Sequence, residues 1–217
     1  ADRPQPSQAR ERSRAFFFVE APISDPDTLK FYADNAVLYS QHALEPSPEL
    51  AGFLAQLPPG GTVLELGTGN GRDAAAMLAA GFAVTPSDAS PELAQQAEAR
   101  LGRPVRIMAF SQLDDIAAYD GIWACAALLH APADELTSDL ARIHRALRPG
   151  GLFVASFKAG RGEGRDQFGR YYNYPDQARL AAHYASAASW RSVAVIERAG
   201  SGYDNLPTRW LWVTARG

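Results

Sequence analysis

VLELGTGNGRD, residues 63–73, decides how this chain is read, because an apolar strand runs straight into a glycine-rich turn and then into a helix. Gly67, Gly69 and Gly71 let the backbone turn sharply and approach a ligand closely, and the helix start beyond them presents unpaired N–H groups. Asp88 follows Gly67 by 21 residues, at the end of the next apolar run, where a carboxylate can accept both hydroxyls of a ribose. The combination predicts a site for a nucleoside-bearing cofactor. A tight turn with a purely structural role is the alternative for a glycine pattern taken alone.

Outward from this segment, apolar strands alternate with helical stretches, which is the pattern of an α/β chain with a mostly parallel sheet. TVLEL (62–66), FAVTPS (82–87), VRIM (105–108), YDGIWACAA (119–127) and GLFVASF (151–157) read as five strands. Two more follow at 192–198 and 208–214, after a helix near 176–188. Helices are expected at 71–80, at PELAQQAEARL (91–101) behind a Ser90 cap, and at 134–147, where Leu136, Leu140, Ile143 and Leu147 make a core-facing stripe. Upstream, the spacing of Leu29, Tyr32, Ala36 and Tyr39 predicts a helix over 27–42. SPELAGFLAQL (47–57) predicts a second, with Ser47 as cap and Pro48 at the first helical position. Residues 1–24, beginning with the arginine-rich ADRPQPSQARERSR, read as a flexible N-terminal arm.

Composition bounds the function classes. The 217 residues carry 21 basic and 24 acidic side chains, net −3, with 47% hydrophobic residues, the profile of a globular chain and not of a bulk nucleic-acid binder. The single cysteine, Cys125, excludes an internal disulfide and any metal site built from several cysteines, so no metal is expected and a reducing cytoplasm fits best. No apolar run reaches the roughly 18 residues of a membrane span, and AFFFV (15–19) is too short for a signal-peptide core.

The turn itself narrows the cofactor. It reads G-x-G-x-G, and Arg72 stands where the dinucleotide fingerprint places its third glycine. Glu65, just ahead of the turn, opposes a pyrophosphate but suits the ammonium of an amino-acid tail. ELGTGNG, Asp88 with AS-PEL, YDGIWACAALLH (119–130) and LRPGGLF (147–153) occur in an order that resembles the class I S-adenosylmethionine-dependent methyltransferases over roughly residues 50–157. GRD and the YADNAVLY helix (32–39) make the chain look most like the small tellurite-resistance-like and general small-molecule members.

The resemblance implies a Rossmann-like three-layer sandwich with a seven-stranded, mostly parallel sheet whose last strand, RWLWVTA (209–215), is antiparallel. The chain reads as one domain over 25–217, with 25–57 as a helical cap and 158–174 as an inserted lid. Glu65, Gly67, Thr68 and Gly69 would contact the methionine and ribose parts of S-adenosylmethionine, Asp88 the ribose hydroxyls, and Ala89 the adenine. Phe110 and Ser111 occupy the place of an adenine-binding Asp, and Ala124, Cys125 and Ala126 would flank the sulfonium. Tyr32, Tyr39 and Arg72 are candidates for the cofactor's carboxylate, the two tyrosines being equally suited to a core-facing helix stripe.

For the acceptor, His130 at the carboxyl edge of the fourth strand is a candidate base or substrate contact, or else a local backbone cap. KAGRGEGRDQFGRYYNY (158–174) holds four basic and two acidic residues with interleaved aromatics and four glycines. It reads as a lid over a small anionic or aromatic substrate, with Arg165, Arg170 and Tyr172 as contacts, or as a solvated loop whose charges pair locally. Tyr203 and Arg209 mark a second such segment, SGYDNLPTRW (201–210). A buried Cys125 is inert packing rather than a nucleophile. The expected partner is a small molecule, not a membrane or nucleic acid, and the chain is expected as a monomer or homodimer. A nicotinamide-dependent oxidoreductase and a non-catalytic nucleoside-binding module are the competing readings.

Overall fold

The computed structural model describes residues 25–217, so the arm expected over 1–24 lies outside the described residues. Strand β1 (Thr62–Leu66) buries alternate side chains on opposite faces: Leu64 and Leu66 join one core, Val63 the other. A strand covered on both sides reads as a continuous apolar run, which is why TVLEL is so legible. The same sheet holds β2 (Ala83–Asp88), β3 (Arg106–Ile107), β4 (Tyr119–Ala124), β5 (Leu147–Lys158), β8 (Ser192–Ser201) and β9 (Pro207–Arg216). They form one sheet in the order β3-β2-β1-β4-β5-β9-β8. The pairs from β3 to β5 are parallel, and β9 is antiparallel to both β5 and β8. The expected seven strands with an antiparallel last one are thus the observed sheet.

Helices α3 (Arg72–Ala79), α4 (Pro91–Leu101), α5 (Leu136–Ala146) and α6 (Gln177–Ala187) complete the sandwich. The larger core lies between the sheet and α5 and α6, where Leu140, Ile143, Leu180 and Tyr184 meet Phe153, Ala155 and Val213. On the other face Phe53, Ala74 and Met77 cover Val63, Trp123 and Val154. Strand order reverses between β1 and β4, and the crevice at that switch point is where ligands bind in such sheets. Among the described residues, no helix is long and apolar enough to cross a membrane.

Three local expectations need correction. Helix α2 spans only Leu50–Leu54 and has no side-chain cap. The Ser47 amide instead donates to Asp73 Oδ1 at 2.7 Å, which ties the 42–49 connection to α3 and takes Ser47 and Pro48 out of the helix. VRIM supplies only two paired residues to β3. Finally, 158–174 is not an irregular loop: Gly164–Arg165 (β6) and Tyr171–Tyr172 (β7) pair as a small antiparallel hairpin. It is docked on α1 (Pro26–Ser40) by the Tyr171 amide, which donates to Thr28 Oγ1 at 2.8 Å.

Candidate functional site

The glycine turn is bound into the carboxyl edge of the sheet by its own backbone. Thr68 N donates to Ser87 O at 2.8 Å, and Gly69 N donates to Asp88 Oδ2 at 2.9 Å. Gly67 has φ +71°, and a Cβ there would lie 2.6 Å from Ala127 Cβ, so neither the conformation nor the space admits a side chain. Opposite it, Ala126 sits at φ +52°, a left-handed conformation that costs a non-glycine residue about 1–3 kcal/mol. Its amide donates to Ser156 Oγ at 2.8 Å, which helps hold it there.

Two cavities meet at this constriction and share Tyr39, Gly67, Gly69, Cys125 and Ala126. The smaller, about 100 Å³, is bordered by Asp88, Ala89, Leu93, Phe110, Tyr32 and His130. The larger, about 470 Å³, is bordered by Glu65, Thr68, Asn70 and Arg72 on one side and Tyr203, Trp210 and Trp212 on the other. Of the residues expected at a cofactor, only Ser111 and Ala124 border neither; Ala124 is fully buried beneath the edge.

Acidic groups dominate the floor. Glu65 accepts a hydrogen bond from Thr68 Oγ1 and has no cationic partner among the described residues. Burial, reinforced by Asp73 and Asp88, pushes its carboxyl up to about 8. Asp88 is raised by burial against the pull of the Ser90 and Gly69 amides. Asp73 is engaged on both oxygens, accepting from Ser47 N and, at 2.9 Å, from Trp123 Nε1. Arg72 lies 3.6 Å from Asp73 and donates to Ala43 O at 3.2 Å. A ligand carrying a cationic amine and a ribose fits this donor and acceptor set: Glu65 for the amine, Asp88 for the hydroxyls, and bare glycine backbone between them.

His130 lies between Tyr32 Oη, 2.8 Å from Nε2, and Tyr171 O, 2.6 Å from Nδ1. Burial lowers its pKa to about 4, so the imidazole is neutral. Cys125 borders both cavities, and burial raises its thiol to about 12, which keeps it protonated and inert.

The cations expected to meet a substrate are committed elsewhere. Arg170 is 1% exposed, bound by Asp166, and surrounded by the rings of Phe31, Tyr32, Phe168, Tyr172 and Tyr203 at 4.8–5.7 Å. Arg165 donates to both carboxylate oxygens of Asp25 at 2.9 and 2.7 Å. Arg209 is exposed on β9 and pairs with Glu197 at 3.3 Å. Tyr172 is buried behind His130, with ring centroids 4.6 Å apart. Of these five only Tyr203 borders either of the two cavities, stacked on Tyr39 at 5.1 Å.

Sequence reading missed Asp73, Ser156, Trp210 and Trp212. The signals were present: a polar residue inside GLFVASF, and indoles two apart in RWLW, which share one face of a strand.

Residues 63–151 match the family described as "Methyltransferase domain". Among solved structures, the chain is 29% identical to 1,6-didemethyltoxoflavin-N1-methyltransferase from Burkholderia thailandensis. That match covers 91% of this chain and 92% of the other at a TM-score of 0.68. The Burkholderia structure contains 1,6-didemethyltoxoflavin and S-adenosylhomocysteine. Phosphoethanolamine N-methyltransferase 2 from Haemonchus contortus (14% identity, 90% and 60% covered, TM-score 0.70) shares the fold. So does the CcbJ methyltransferase from Streptomyces caelestis (18%, 89% and 99%, TM-score 0.65). No curated protein gave a match.

Proposed function

We propose that this chain, whose residues 63–151 match a methyltransferase domain, is a class I enzyme that moves a methyl group from S-adenosylmethionine to a small aromatic acceptor. The observation that carries the reading is the pair of cavities joined at Gly67 and Ala126, one bordered by Asp88 and the other by Glu65 and aromatic rings. When bound, S-adenosylmethionine supplies a methyl carbon on a sulfonium whose sulfur leaves as a neutral thioether. Asp88 would hold the ribose hydroxyls, Ala89 and Phe110 the adenine, and Glu65 the ammonium. Catalysis then rests on alignment, because the leaving group is already charged.

The acceptor class follows from what borders the larger cavity. Arg165, Arg170 and Arg209 supported an anion, and each is now accounted for by Asp25, Asp166 or Glu197. The larger cavity is bordered by Tyr39, Tyr203, Trp210 and Trp212, which suit a planar ring, together with the cations Arg72 and Arg198. The Burkholderia neighbour, with 1,6-didemethyltoxoflavin bound, supports the same class. GRD and YADNAVLY are common to the tellurite-resistance-like and general small-molecule members, and the aromatic border of the larger cavity favours the latter.

Calorimetric titration with S-adenosylmethionine, S-adenosylhomocysteine and NAD, followed by S-adenosylhomocysteine release with N-heterocycles and phenols, tests the proposal. Adenosyl compounds should bind and NAD should not. Binding of NAD with no response to either adenosyl compound would overturn it in favour of an oxidoreductase. Adenosyl binding without turnover would leave a nucleoside-binding module.

A further inference from the structure

We infer that Tyr32 is the side chain that meets the acceptor's proton, and that His130 is a positioning residue behind it that takes up the proton Tyr32 passes on. The inference rests on the methyl-transfer reading and deepens it.

The order of hydrogen bonds is fixed by one atom. Tyr171 O is a carbonyl oxygen and can only accept, so His130 Nδ1, 2.6 Å away, carries the ring hydrogen. Nε2 is therefore the lone-pair nitrogen, and the Tyr32 hydroxyl at 2.8 Å donates to it. Both imidazole nitrogens are committed, which leaves His130 no lone pair for a substrate. Tyr32 Oη has given its hydrogen to Nε2 and accepts from Arg170 Nη1 at 3.3 Å, so among the described residues one of its lone pairs takes no other hydrogen bond. Tyr32 borders the smaller cavity beside Gly67 and Ala126, and its ring packs edge-on at 5.1 Å against Tyr39, which borders both cavities, so it stands beside the junction through which an acceptor in the larger cavity would reach the methyl group. The buried Arg170 guanidinium, locked by Asp166, adds a fixed positive charge beside the phenol oxygen and favours any negative charge it develops.

The step balances. An acceptor X–H donates its proton to Tyr32 Oη while the phenol's own proton moves to His130 Nε2. The electron pair left on X forms the bond to the methyl carbon, and the pair of the carbon–sulfur bond stays on sulfur. One positive charge disappears from the cavity as the imidazolium appears, so its net charge is unchanged. That compensation is what a weakly basic histidine requires. The charged groups facing the imidazole are Arg170 and Lys158, which oppose its protonation, and Asp166, which favours it; Tyr32 and Tyr172 are the neutral neighbours.

The test uses the full chain with S-adenosylhomocysteine bound. Nitrogen-15 NMR of the imidazoles should show His130 with its hydrogen on Nδ1, and Tyr32→Phe should shift Nε2 and raise the imidazole pKa, because a donor that favours the neutral ring is gone. With 1,6-didemethyltoxoflavin and a set of phenols as acceptors, Tyr32→Phe and His130→Gln should each lower kcat about 100-fold, the low end for a lost proton-transfer group. The double variant should be no worse than either, and S-adenosylhomocysteine affinity should stay within threefold of wild type, which also shows that the variants fold. A hydrogen on Nε2, an imidazole indifferent to Tyr32→Phe, or a Tyr32→Phe enzyme with wild-type kcat overturns the relay. If wild type methylates none of these acceptors, the acceptor class fails instead, since the imidazole spectra still decide the hydrogen-bond order.

Discussion

Arg170 donates from both Nε and Nη2 to Oδ2 of Asp166, at 2.9 and 2.7 Å, in a pair whose side chains are 1% and 6% exposed. The pair joins the β6–β7 hairpin to α1, because the rings of Phe31 and Tyr32 pack against the same guanidinium. Breaking a buried pair leaves an uncompensated charge, whereas replacing both partners with apolar residues can be neutral. Asp166→Ala is therefore expected to cost about 3–5 kcal/mol in urea unfolding. Asp166→Leu combined with Arg170→Met should recover most of it. A double variant as unstable as Asp166→Ala would show that the pair itself, and not the orphaned charge, holds the hairpin.

The same geometry decides what Arg170→Ala reports. With the guanidinium enclosed and paired, its loss should lower thermal stability and weaken adenosyl binding and turnover together, by loosening α1 over the cavity. A rise confined to the acceptor's KM, with unchanged melting temperature, would restore Arg170 as a substrate contact.

Gly67 and Gly69 share a left-handed backbone but differ in the space around them. At Gly67 a methyl adds a 2.6 Å clash with Ala127 Cβ to its φ of +71°; at Gly69, φ +57°, the nearest atom is Tyr39 Cε1 at 3.8 Å. Gly67→Ala should therefore cost about 2–4 kcal/mol, from conformation plus overpacking. Gly69→Ala should cost about 1–2 kcal/mol from conformation alone. Both add a methyl at the junction of the cavities, so S-adenosylhomocysteine affinity should fall in both. Calorimetry beside urea unfolding separates the two effects, and equal unfolding costs would contradict the packing argument.

What was legible in sequence is what neighbouring residues decide. TVLEL is β1 to the residue, Ser90 caps α4 by accepting from Leu93 N, and Asp88 ends β2 beside the glycine turn. Such features depend on alternation, on a cap next to its helix, or on a turn that follows its strand. The partners of charged groups are another matter. Arg165 finds Asp25 at a separation of 140 residues, and His130 finds Tyr32 at 98. A count of charges in 158–174 identifies a basic stretch but not which residues pair: Arg170 takes Asp166, four residues before it in the same stretch, whereas Arg165 reaches out to Asp25. Ser47 failed for the same reason: a cap signal is local, but Asp73, 26 residues on, took its amide.

Glu65 makes the stability of the fold depend on pH. Its carboxyl moves from an ordinary 4.5 to about 8 in the fold because burial disfavours the charge and Asp73 and Asp88 lie nearby. Between those values the folded chain binds a proton that the unfolded chain has released, so stability falls as pH rises from about 4.5 to 8 and the full penalty is present above 8. Glu65→Gln keeps the shape and the hydrogen bonding without the charge. The unliganded variant should therefore be more stable than wild type at pH 8.5, by at least about 1 kcal/mol, and the difference should shrink towards pH 5. Ligand reverses the ranking, because an ammonium beside Glu65 would draw the carboxylate into its charged form. S-adenosylhomocysteine should thus raise the melting temperature of wild type more than that of Glu65→Gln, with the gap widening from pH 6.5 to 8.5. Melting curves of both proteins, with and without the ligand across that range, check each half, and a stability difference that ignores pH would mean that Glu65 is already ionised in the free protein.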